Sequence, residues 1–434
     1  MGCGLFCSKS ASKLRYVPGA VLVASFATLS VLFWSGNAAA YRGILLHMGF
    51  NPFYFPFLDT HGILATAECH RLGIDVLADN PCDVLGRTLD YSPFWLITSV
   101  LGVGTSSTMS AGLILDLVFL FAVFFLPPAK NGSAVAIMTA ALLSSAVALA
   151  LERANLDLAI FVVALIASGW LLRGPARRSL SYALLTLATL VKFYPGILLL
   201  LGLRERARFL LPLTVALLTA GALFIWAEGA TLLRALHNIE KGTYFTTSFG
   251  ARTFPVGLAY LLAPGAEYFA PIAEFVFILV AIGYAYIIAR LGDIRSALRY
   301  MPVRNRDLML IGCALLLGCF FTAQNAAYRS IYFLFILPGL VGLWREASSG
   351  AARHRLMLLT GAILFLMWDQ LFRVAVTQSV AALGLGATYY FVFWFLRETV
   401  WWWVISILLA IFADLLVIAT ADDSLPATTI EQSP

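Results

Sequence analysis

Long apolar runs alternate with short polar segments along almost the whole chain. Twelve such runs lie at residues 17–34, 93–126, 134–150, 157–172, 180–191, 193–203, 209–227, 272–290, 308–323, 330–343, 356–372 and 399–418. Unbroken runs of this kind predict helices in a bilayer, whereas the strands of a transmembrane β-barrel alternate apolar and polar residues. The pattern therefore predicts an all-α polytopic membrane protein with about 12 transmembrane or partly spanning helices.

The composition of the 434 residues agrees with this class. Hydrophobic residues make up 61% and charged residues 12%, and the mean hydropathy is +0.88. Soluble domains have roughly 45–50% apolar and about 25% charged residues, so a soluble globular enzyme is excluded, as is a disordered chain. The net charge of +6 does not indicate nucleic-acid binding, because membrane proteins collect Lys and Arg in cytoplasmic loops.

The basic residues predict the orientation of the chain in the membrane. Lys9, Lys13 and Arg15 precede the first run, which indicates an uncleaved first helix with a cytoplasmic N-terminus. Twelve crossings then put both termini in the cytoplasm, with 18 of the 29 Lys and Arg residues in cytoplasmic segments. The predicted organisation is a cytoplasmic tail at 1–16, a membrane module at 17–345 that includes an extracytoplasmic acidic loop at 37–92, C-terminal helices at 346–418, and a cytoplasmic tail at 419–434.

Three pairs of runs are too short for two full crossings of a hydrocarbon core of about 30 Å. The turns that join them are polar and are predicted on the extracytoplasmic side, at residues 152–157, 192–195 and 324–329. Each turn carries a cation: Arg153, Lys192 and Arg329, respectively. Charge at membrane depth is tolerated where it lines a wet cavity. We therefore expect a polar well in which these cations suit a phosphate or diphosphate group.

A plainer interpretation of the three cations remains open. Glu152 or Asp157 can partly neutralise Arg153, whereas Lys192 and Arg329 have no acid nearby in the sequence. All three side chains could instead snorkel to the interface or pair with acids from elsewhere in the fold.

The loop at 37–92 is acidic, with six Asp or Glu residues against three Arg. A helix is predicted from Asp59 to Leu72, with Asp59 as its N-cap and Gly73 as its stop. A carboxylate near the lipid surface can also take a proton from an attacking hydroxyl, so a capping role and a general-base role both stand for Asp59. Cys69 and Cys82 can form a disulfide in this loop or remain two free thiols.

Five short motifs follow one another through residues 15–345. They are Asp59…Ala65-Thr66-Ala67…Leu72-Gly73-Ile74-Asp75, Tyr91-Ser92-Pro93, Glu152-Arg153-Ala154-Asn155, Lys192-Phe193-Tyr194-Pro195 and Asn325…Tyr328-Arg329. Their order resembles that of the GT-C membrane glycosyltransferases, and most closely glycosyltransferase family 87, the polyprenyl-phosphate-mannose-dependent type. The chain departs from the family pattern at Ser92, where a proline is usual, at Ala154, where glycine is usual, and in its Cys69/Cys82 pair.

The resemblance implies a GT-C-like fold for residues 17–345, with a large first extracytoplasmic loop and Asp59 as the catalytic base. It implies that Lys192, Arg329 and Arg153 surround the donor phosphate. The other residues predicted in the substrate cavity are Asn155, Tyr194, Asn325, Tyr328, Tyr91 and Asp75. The implied partners are a polyprenyl-phosphate-linked sugar donor, a glycolipid or glycan acceptor and membrane lipids, in the plasma membrane. We expect no metal, no cofactor and no nucleic acid.

Taken together, these features predict an inverting glycosyltransferase that moves a hexose or pentose to an extracytoplasmic acceptor. A lipid or glycolipid transporter is the main alternative, because the same cations would bind a lipid headgroup. Transport needs access from both sides, and the candidate charges toward the cytoplasm are Asp116 and Asp414. A non-catalytic assembly protein of the envelope is a third possibility.

Overall fold

The computed structural model describes residues 14–171, 174–239, 245–262, 266–322, 324–347, 349–384 and 388–422. Most of the two predicted cytoplasmic tails, residues 1–13 and 423–434, lies outside these ranges. The described helices are α1 (Val17–Trp34), α2 (Ala38–His47), α3 (Leu58–Arg71), α4 (Thr108–Ala122), α5 (Gly132–Leu142), α6 (Ser145–Arg153), α7 (Asp157–Leu171), α8 (Pro175–Val191), α9 (Ala207–Asn238), α10 (Thr253–Leu262), α11 (Ala270–Leu291), α12 (Asp293–Arg299), α13 (Val303–Thr322), α14 (Phe333–Glu346), α15 (Gly350–Met367), α16 (Asp369–Ala382) and α17 (Thr388–Asp422).

Shorter 3₁₀ segments join several of these helices. They are Pro93–Leu101, Thr105–Ser107, Val123–Phe125, Tyr194–Arg204, Ala266–Phe269 and Ala327–Tyr332. Two short strands, β1 (Ser248–Phe249) and β2 (Asn325–Ala326), pair antiparallel with Ser248 opposite Ala326. This pairing holds the polar turn at 324–329 against the segment that precedes α10.

Eight helical segments of the described chain are long and apolar enough to cross a membrane. They are Val17–Trp34, Thr105–Phe125, Ala207–Asn238, Ala270–Leu291, Val303–Thr322, Ala327–Glu346, Gly350–Met367 and Phe391–Ile418. Helices α5 and α6, bent by 44° at their break, make a ninth if they count as one span. The chain is therefore an all-α, multi-pass membrane protein. The runs at 157–172 and 193–203, predicted too short to cross, form the shorter apolar helices Asp157–Leu171 and Tyr194–Arg204. The pair at 308–323 and 330–343 was also predicted too short, and this is wrong, because Val303–Thr322 and Ala327–Glu346 each have 20 residues and are long enough to cross.

The stretch from 180 to 203 turns back on itself at Lys192. Helix α8 ends at Val191, and Lys192 has extended backbone angles. Pro195 lies three residues after Lys192, where it lacks an amide donor and disfavours α-helix for the residue before it. The returning segment is a 3₁₀ helix of 11 residues, which at a rise of about 2.0 Å reaches about 22 Å. Lys192 and Tyr194 therefore lie together in the turn between α8 and this 3₁₀ helix.

Helix α13 forms the centre of the core. It packs against α14, α17 and the 3₁₀ helix Tyr194–Arg204, and almost all of its residues are buried. Two glycines allow this close approach. A Cβ at Gly312 would lie 2.7 Å from Cγ1 of Ile336, and one at Gly318 would lie 2.8 Å from Cγ2 of Ile197. By contrast, Ala235 is the single buried residue of the peripheral helix α9.

The start of α3 is set by Phe57 rather than by Asp59. Phe57 is the N-cap residue, in a left-handed conformation with φ of +72°, and its amide donates to the Glu152 carbonyl at 2.6 Å. The predicted N-cap role of Asp59 is therefore wrong, because the helix begins at Leu58 and Asp59 belongs to its first turn. The predicted stop is confirmed: α3 ends at Arg71, and Gly73 follows with φ of +81°.

A disulfide joins Cys69, near the end of α3, to Cys82. Of the two states left open by the sequence, the structure has the bonded one. The bond fixes the turn around residues 80–87 to α3, which brings Asp83 and Arg87 next to the first turn of that helix.

Candidate functional site

A polar cavity of about 700 Å³ lies where the loop at 37–92 meets the three polar turns. Its walls hold five cationic side chains, two acids and three tyrosines, along with smaller polar and apolar residues. Its charged residues and tyrosines are Asp59, Arg87, Asp90, Tyr91, Arg153, Lys192, Tyr194, Tyr328, Arg329 and Arg373. The structure thus brings the three predicted cations and Asp59, which are far apart in the sequence, to one cavity.

Asp59 stands at the wall of this cavity with a side chain that is 12% exposed. One of its oxygens, Oδ2, accepts a hydrogen bond from the Asn155 amide at 2.6 Å. The other, Oδ1, lies 3.6 Å from Nη1 of Arg87 and 4.0 Å from Nη1 of Arg153. The helix start also favours a negative charge in the first turn of α3. The carboxylate is therefore both fixed in orientation and partly open to the cavity.

Asn155 links Asp59 to the second turn of the site. Its side-chain oxygen accepts a hydrogen bond from Nζ of Lys192 at 3.0 Å, while its amide nitrogen donates to Asp59. Ala154, just before it, has a left-handed backbone with φ of +41°, and its carbonyl accepts from the Thr60 hydroxyl at 2.7 Å. Asn155 is fully buried and does not line the cavity wall. It was predicted as a cavity residue, and it lies beneath the wall as a connector.

Asp157 is the acid that pairs with two of the predicted cations. Its Oδ1 lies 2.9 Å from Nζ of Lys192, and its Oδ2 accepts from Nε of Arg329 at 3.3 Å. The paired residues are 35 and 172 positions apart in the chain, so the local sequence does not predict either pair. Two cations therefore share one buried carboxylate, and the group of three keeps one net positive charge.

Tyrosines complete the environment of these charges. Hydroxyls of Tyr194 and Tyr332 are hydrogen-bonded to each other, and the Tyr194 hydroxyl also donates to Asp157. Nζ of Lys192 lies 5.5 Å from the ring centroid of Tyr91 and 5.9 Å from that of Tyr328. Both distances are in the range of a cation–π contact. Aromatic faces near a buried ammonium stabilise its charge without adding a second carboxylate.

The third polar turn is held by the guanidinium of Arg329 and by Asn325. Arg329 donates to the side-chain oxygen of Asn325, whose amide donates to the Cys319 carbonyl. Because Asn325 also belongs to β2, its position depends on the pairing with β1. The structure therefore places Asn325 as a support for Arg329 at the cavity wall.

Arg153 and Arg87 both approach Oδ1 of Asp59, whereas Asn155 binds Oδ2. Nε of Arg153 is 3.1 Å from the Glu152 carboxylate, and Nε of Arg87 is 2.9 Å from Asp83. Burial opposes ionisation of the Asp83 carboxyl, but the hydrogen bonds from the Arg87 side chain and backbone outweigh it and lower its pKa. Arg87 also donates to the Leu58 carbonyl at 2.9 Å, so it fastens the loop to the start of α3.

Asp75, predicted for the substrate cavity, is not among the residues that line it. Its exposed carboxylate pairs with Arg234 of α9 at 2.6 Å. Conversely, three residues of the site were not predicted from the sequence: Arg87 and Arg373, which line the cavity, and Asp157 as the partner of Lys192 and Arg329. Arg87 is one of three basic residues in an acidic loop, which is a signal that could have singled it out.

A second cavity of about 440 Å³ adjoins this region and is almost wholly apolar. It is lined mainly by side chains of α1, α2, α5 and α6, and it includes Phe57 and Glu152. These two residues are the near neighbours in sequence of Asp59 and Arg153, which line the polar cavity. The two cavities therefore approach each other at the start of α3 and the end of α6.

Within the described ranges, no group of three or more His, Cys, Asp or Glu side chains is arranged to hold a metal ion. Comparison of the chain with protein-family models, with curated proteins and with solved structures found no match in any of the three. The class that the structure defines is thus a helical, multi-pass membrane protein with a charged cavity at the meeting point of its polar turns.

Proposed function

We propose that this protein is an integral membrane glycosyltransferase that transfers a hexose or pentose from a polyprenyl-phosphate-sugar to an extracytoplasmic glycolipid or envelope glycan. The observation that carries the proposal is the connection of Asp59 to Lys192 through Asn155, at 2.6 and 3.0 Å. An oriented carboxylate and a buried ammonium then face one cavity. When a hydroxyl attacks a carbon activated by a phosphate, a base takes the hydroxyl proton and a cation stabilises the charge on the leaving phosphate.

The charge of the Lys192 group supports a phosphodiester ligand. Lys192 and Arg329 share Asp157 and keep one net positive charge, which matches the single negative charge of a polyprenyl-phosphate-sugar. When the sugar leaves, the phosphate gains a second negative charge. Cations already in place stabilise that developing charge without reorganisation.

The apolar cavity supports an amphiphilic donor. It is lined by residues such as Leu22, Phe26 and Leu29 of α1, and it approaches the polar cavity near Phe57. A prenyl chain in the apolar cavity would leave its phosphate beside the charged residues. Burial of an apolar chain is favourable by about 25 cal/mol per Å².

The proposed step is a single displacement with inversion at the anomeric carbon. The acceptor hydroxyl gives its proton to the Asp59 carboxylate while its oxygen forms a bond to that carbon. The bond from the anomeric carbon to the phosphate oxygen breaks, and polyprenyl phosphate leaves with the electron pair. Phosphate is a good leaving group, so a second carboxylate acting as an acid is not required.

The same proposal includes a GT-C-like arrangement of about twelve crossing or partly crossing helices in the plasma membrane. Both termini would be cytoplasmic and the cavity extracytoplasmic. The basic residues of the short connecting segments support this orientation. So does the disulfide between Cys69 and Cys82, since disulfides persist in oxidising compartments.

The transporter alternative gains no support from its two candidate charges. Asp116 is fully buried in α4, and Asp414 pairs with Arg295 at 2.7 Å. Neither lines the polar cavity.

The test compares wild type, Asp59→Asn and the control Asp79→Asn in purified full-length protein. Asp79 lies in the same loop but is exposed and outside the cavity lining. Asp59→Asn keeps the shape of the side chain and removes the proton acceptor. We expect normal binding of polyprenyl phosphate, with transfer from radiolabelled polyprenyl-phosphate-sugars lowered by roughly 10²–10⁴-fold. Asp79→Asn should retain wild-type transfer.

Full transfer by Asp59→Asn would remove Asp59 as the base. The protein would instead be a transporter if two results came together. Wild type would transfer no sugar from a panel of polyprenyl-phosphate-sugars to glycolipid acceptors, and it would move the sugar-lipid across the membrane of vesicles.

A further inference from the structure

The five cations of the polar cavity differ in their counter-charges. Arg87, Arg153, Lys192 and Arg329 each have a carboxylate oxygen within 4.0 Å. Arg373, which lies on α16 and lines the same cavity, has no such partner among the residues that the structure describes. Among the cations of the described lining, it is therefore the one without a carboxylate at ion-pair distance.

Arg373 is nevertheless held in place, by two neutral acceptors. Its Nη2 donates to the carbonyl of Gly49 at 2.7 Å, and its Nε donates to Oε1 of Gln370 at 3.3 Å. Asp369, on the same helix, lies 3.8 Å from Nη1 of Arg397 and accepts from Gln370 at 3.0 Å. The nearest acid of the helix thus makes its close contacts with other groups. Its charge also acts on Arg373, but from beyond the distance of an ion pair, so Arg373 is oriented without a paired carboxylate among the described residues.

The lack of a side chain at Gly49 allows its carbonyl to reach Arg373. Gly49 has φ of +99°, and a Cβ at this position would lie 2.1 Å from the Gln370 carbonyl oxygen. Only glycine allows the chain before Phe50 to approach α16 this closely. The carbonyl that orients Arg373 therefore comes from the extracytoplasmic loop, and the guanidinium bridges that loop to the C-terminal helices.

A guanidinium has five N–H donors, and two are used here. A partly buried cation without a paired carboxylate is stabilised when an anion binds, and a phosphate oxygen pair matches the guanidinium fork. The Lys192 group already provides the single positive charge that one phosphodiester needs. We infer that Arg373 forms a second anion site, which binds the phosphodiester of an anionic acceptor lipid. This inference rests on the proposed function and assigns the acceptor class.

The same chemistry has another source, because the donor phosphate itself could bind Arg373. The experiment therefore uses two probes on purified full-length protein: polyprenyl phosphate and short-chain phosphatidylglycerol. The variants are Arg373→Gln, Lys192→Gln and Arg353→Gln, the last an exposed arginine of α15 outside the cavity lining. Binding is measured directly, so that the result does not depend on transfer activity.

We expect Arg373→Gln to weaken phosphatidylglycerol binding by about 10- to 150-fold and to leave polyprenyl phosphate binding unchanged. Lys192→Gln should show the opposite pattern, and Arg353→Gln should change neither. Arg373→Lys should restore part of the affinity, since it keeps the charge but not the fork. Loss of polyprenyl phosphate binding alone in Arg373→Gln would assign Arg373 to the donor, and unchanged binding of both probes would make it structural.

A competition on wild type covers the case in which Arg373→Gln does not fold. If there are two sites, saturating polyprenyl phosphate leaves phosphatidylglycerol bound. Complete displacement would mean one shared site and would overturn the inference. The inference and the proposed function fail separately: intact transfer by Asp59→Asn removes the base but leaves two-site lipid binding, whereas one-site binding leaves the transfer chemistry untouched.

Discussion

Asp59 and Lys192 bind the same side-chain amide, which Asn155 presents from a fully buried position. The amide nitrogen serves the carboxylate, and the amide oxygen serves the ammonium. The separation of the proposed base from the proposed phosphate-binding cation is therefore set by one residue that does not line the cavity.

The first prediction follows from this link. Asn155→Ala removes both hydrogen bonds and a third, which Oδ1 of Asn155 accepts from the Asp157 amide at 2.9 Å. It leaves Lys192 its contact with Asp157, so we expect a folded protein that is about 1–3 kcal/mol less stable. The turnover number should fall by about 10-fold or more, with a small change in KM, because positioning rather than binding is lost. Steady-state kinetics with a radiolabelled donor measures this split.

Asn131→Ala provides a matched control for that variant. Asn131 caps α5 by accepting from the amide of Ala134, so its loss should cost about 0.5–2 kcal/mol of stability. Turnover should stay normal. Equal loss of turnover in both variants would show that stability alone controls the rate.

The second prediction concerns the carboxylate shared by Lys192 and Arg329. In either Lys192→Ala or Arg329→Ala, Asp157 keeps one cationic partner, so each single variant should fold and bind polyprenyl phosphate about 10- to 150-fold less tightly. The double variant leaves Asp157 buried and uncompensated, which typically costs about 3–5 kcal/mol. Its loss of stability should therefore exceed the sum of the single losses in a double-mutant cycle. Simple additivity would exclude the shared role.

The third prediction is a dependence of loop stability on pH. Because the folded pKa of Asp83 is lowered by Arg87, its ionised form stabilises the fold above the ordinary Asp pKa of about 3.9. This contribution is lost as the pH falls through the folded pKa. The difference in melting temperature between wild type and Asp83→Asn should therefore be constant near neutrality and shrink below about pH 4. A difference that does not change with pH would mean that the Asp83–Arg87 contact contributes through packing alone.

The fourth prediction tests orientation. Asp79→Cys, with the cysteines outside the disulfide replaced by alanine, should react with an impermeant thiol reagent in intact cells. Ala351→Cys, at an exposed position near the start of α15, should react only after permeabilisation. The reverse pattern would place the cavity in the cytoplasm and overturn the proposed topology.

The sequence predicted the class of fold well, because apolar runs of bilayer length have few alternatives. It also selected Asp59, Lys192, Arg153 and Arg329, which the structure brings to one cavity. Polar turns between short apolar runs are costly in a membrane, so their charges stand out even without a structure. The assignment of roles to these residues stays a prediction.

The parts that escaped the sequence depend on contacts between distant segments. Asp157 was considered only as a neighbour of Arg153, whereas it pairs with Lys192 and Arg329 from two other turns. Arg373 carries no local signal, because its place in the cavity results from the packing of α16 against Gly49. Asp75 was predicted for the substrate cavity, but the path of α3 and the turn after it places its carboxylate against Arg234 of α9.

The left-handed backbone of Phe57 has a further consequence for the position of Asp59. The Phe57 ring packs so closely against Gly112 that a Cβ there would lie 2.3 Å from the ring's Cγ. The Phe57 amide donates a hydrogen bond to the Glu152 carbonyl of α6. These two contacts fix the rotation of α3 about its axis from its first residue. One residue inserted between Phe57 and Asp59 would rotate the carboxylate by about 100° around the helix. The chain would keep every side chain of the site, but the Asp59 carboxylate would no longer face the cavity that the cations line.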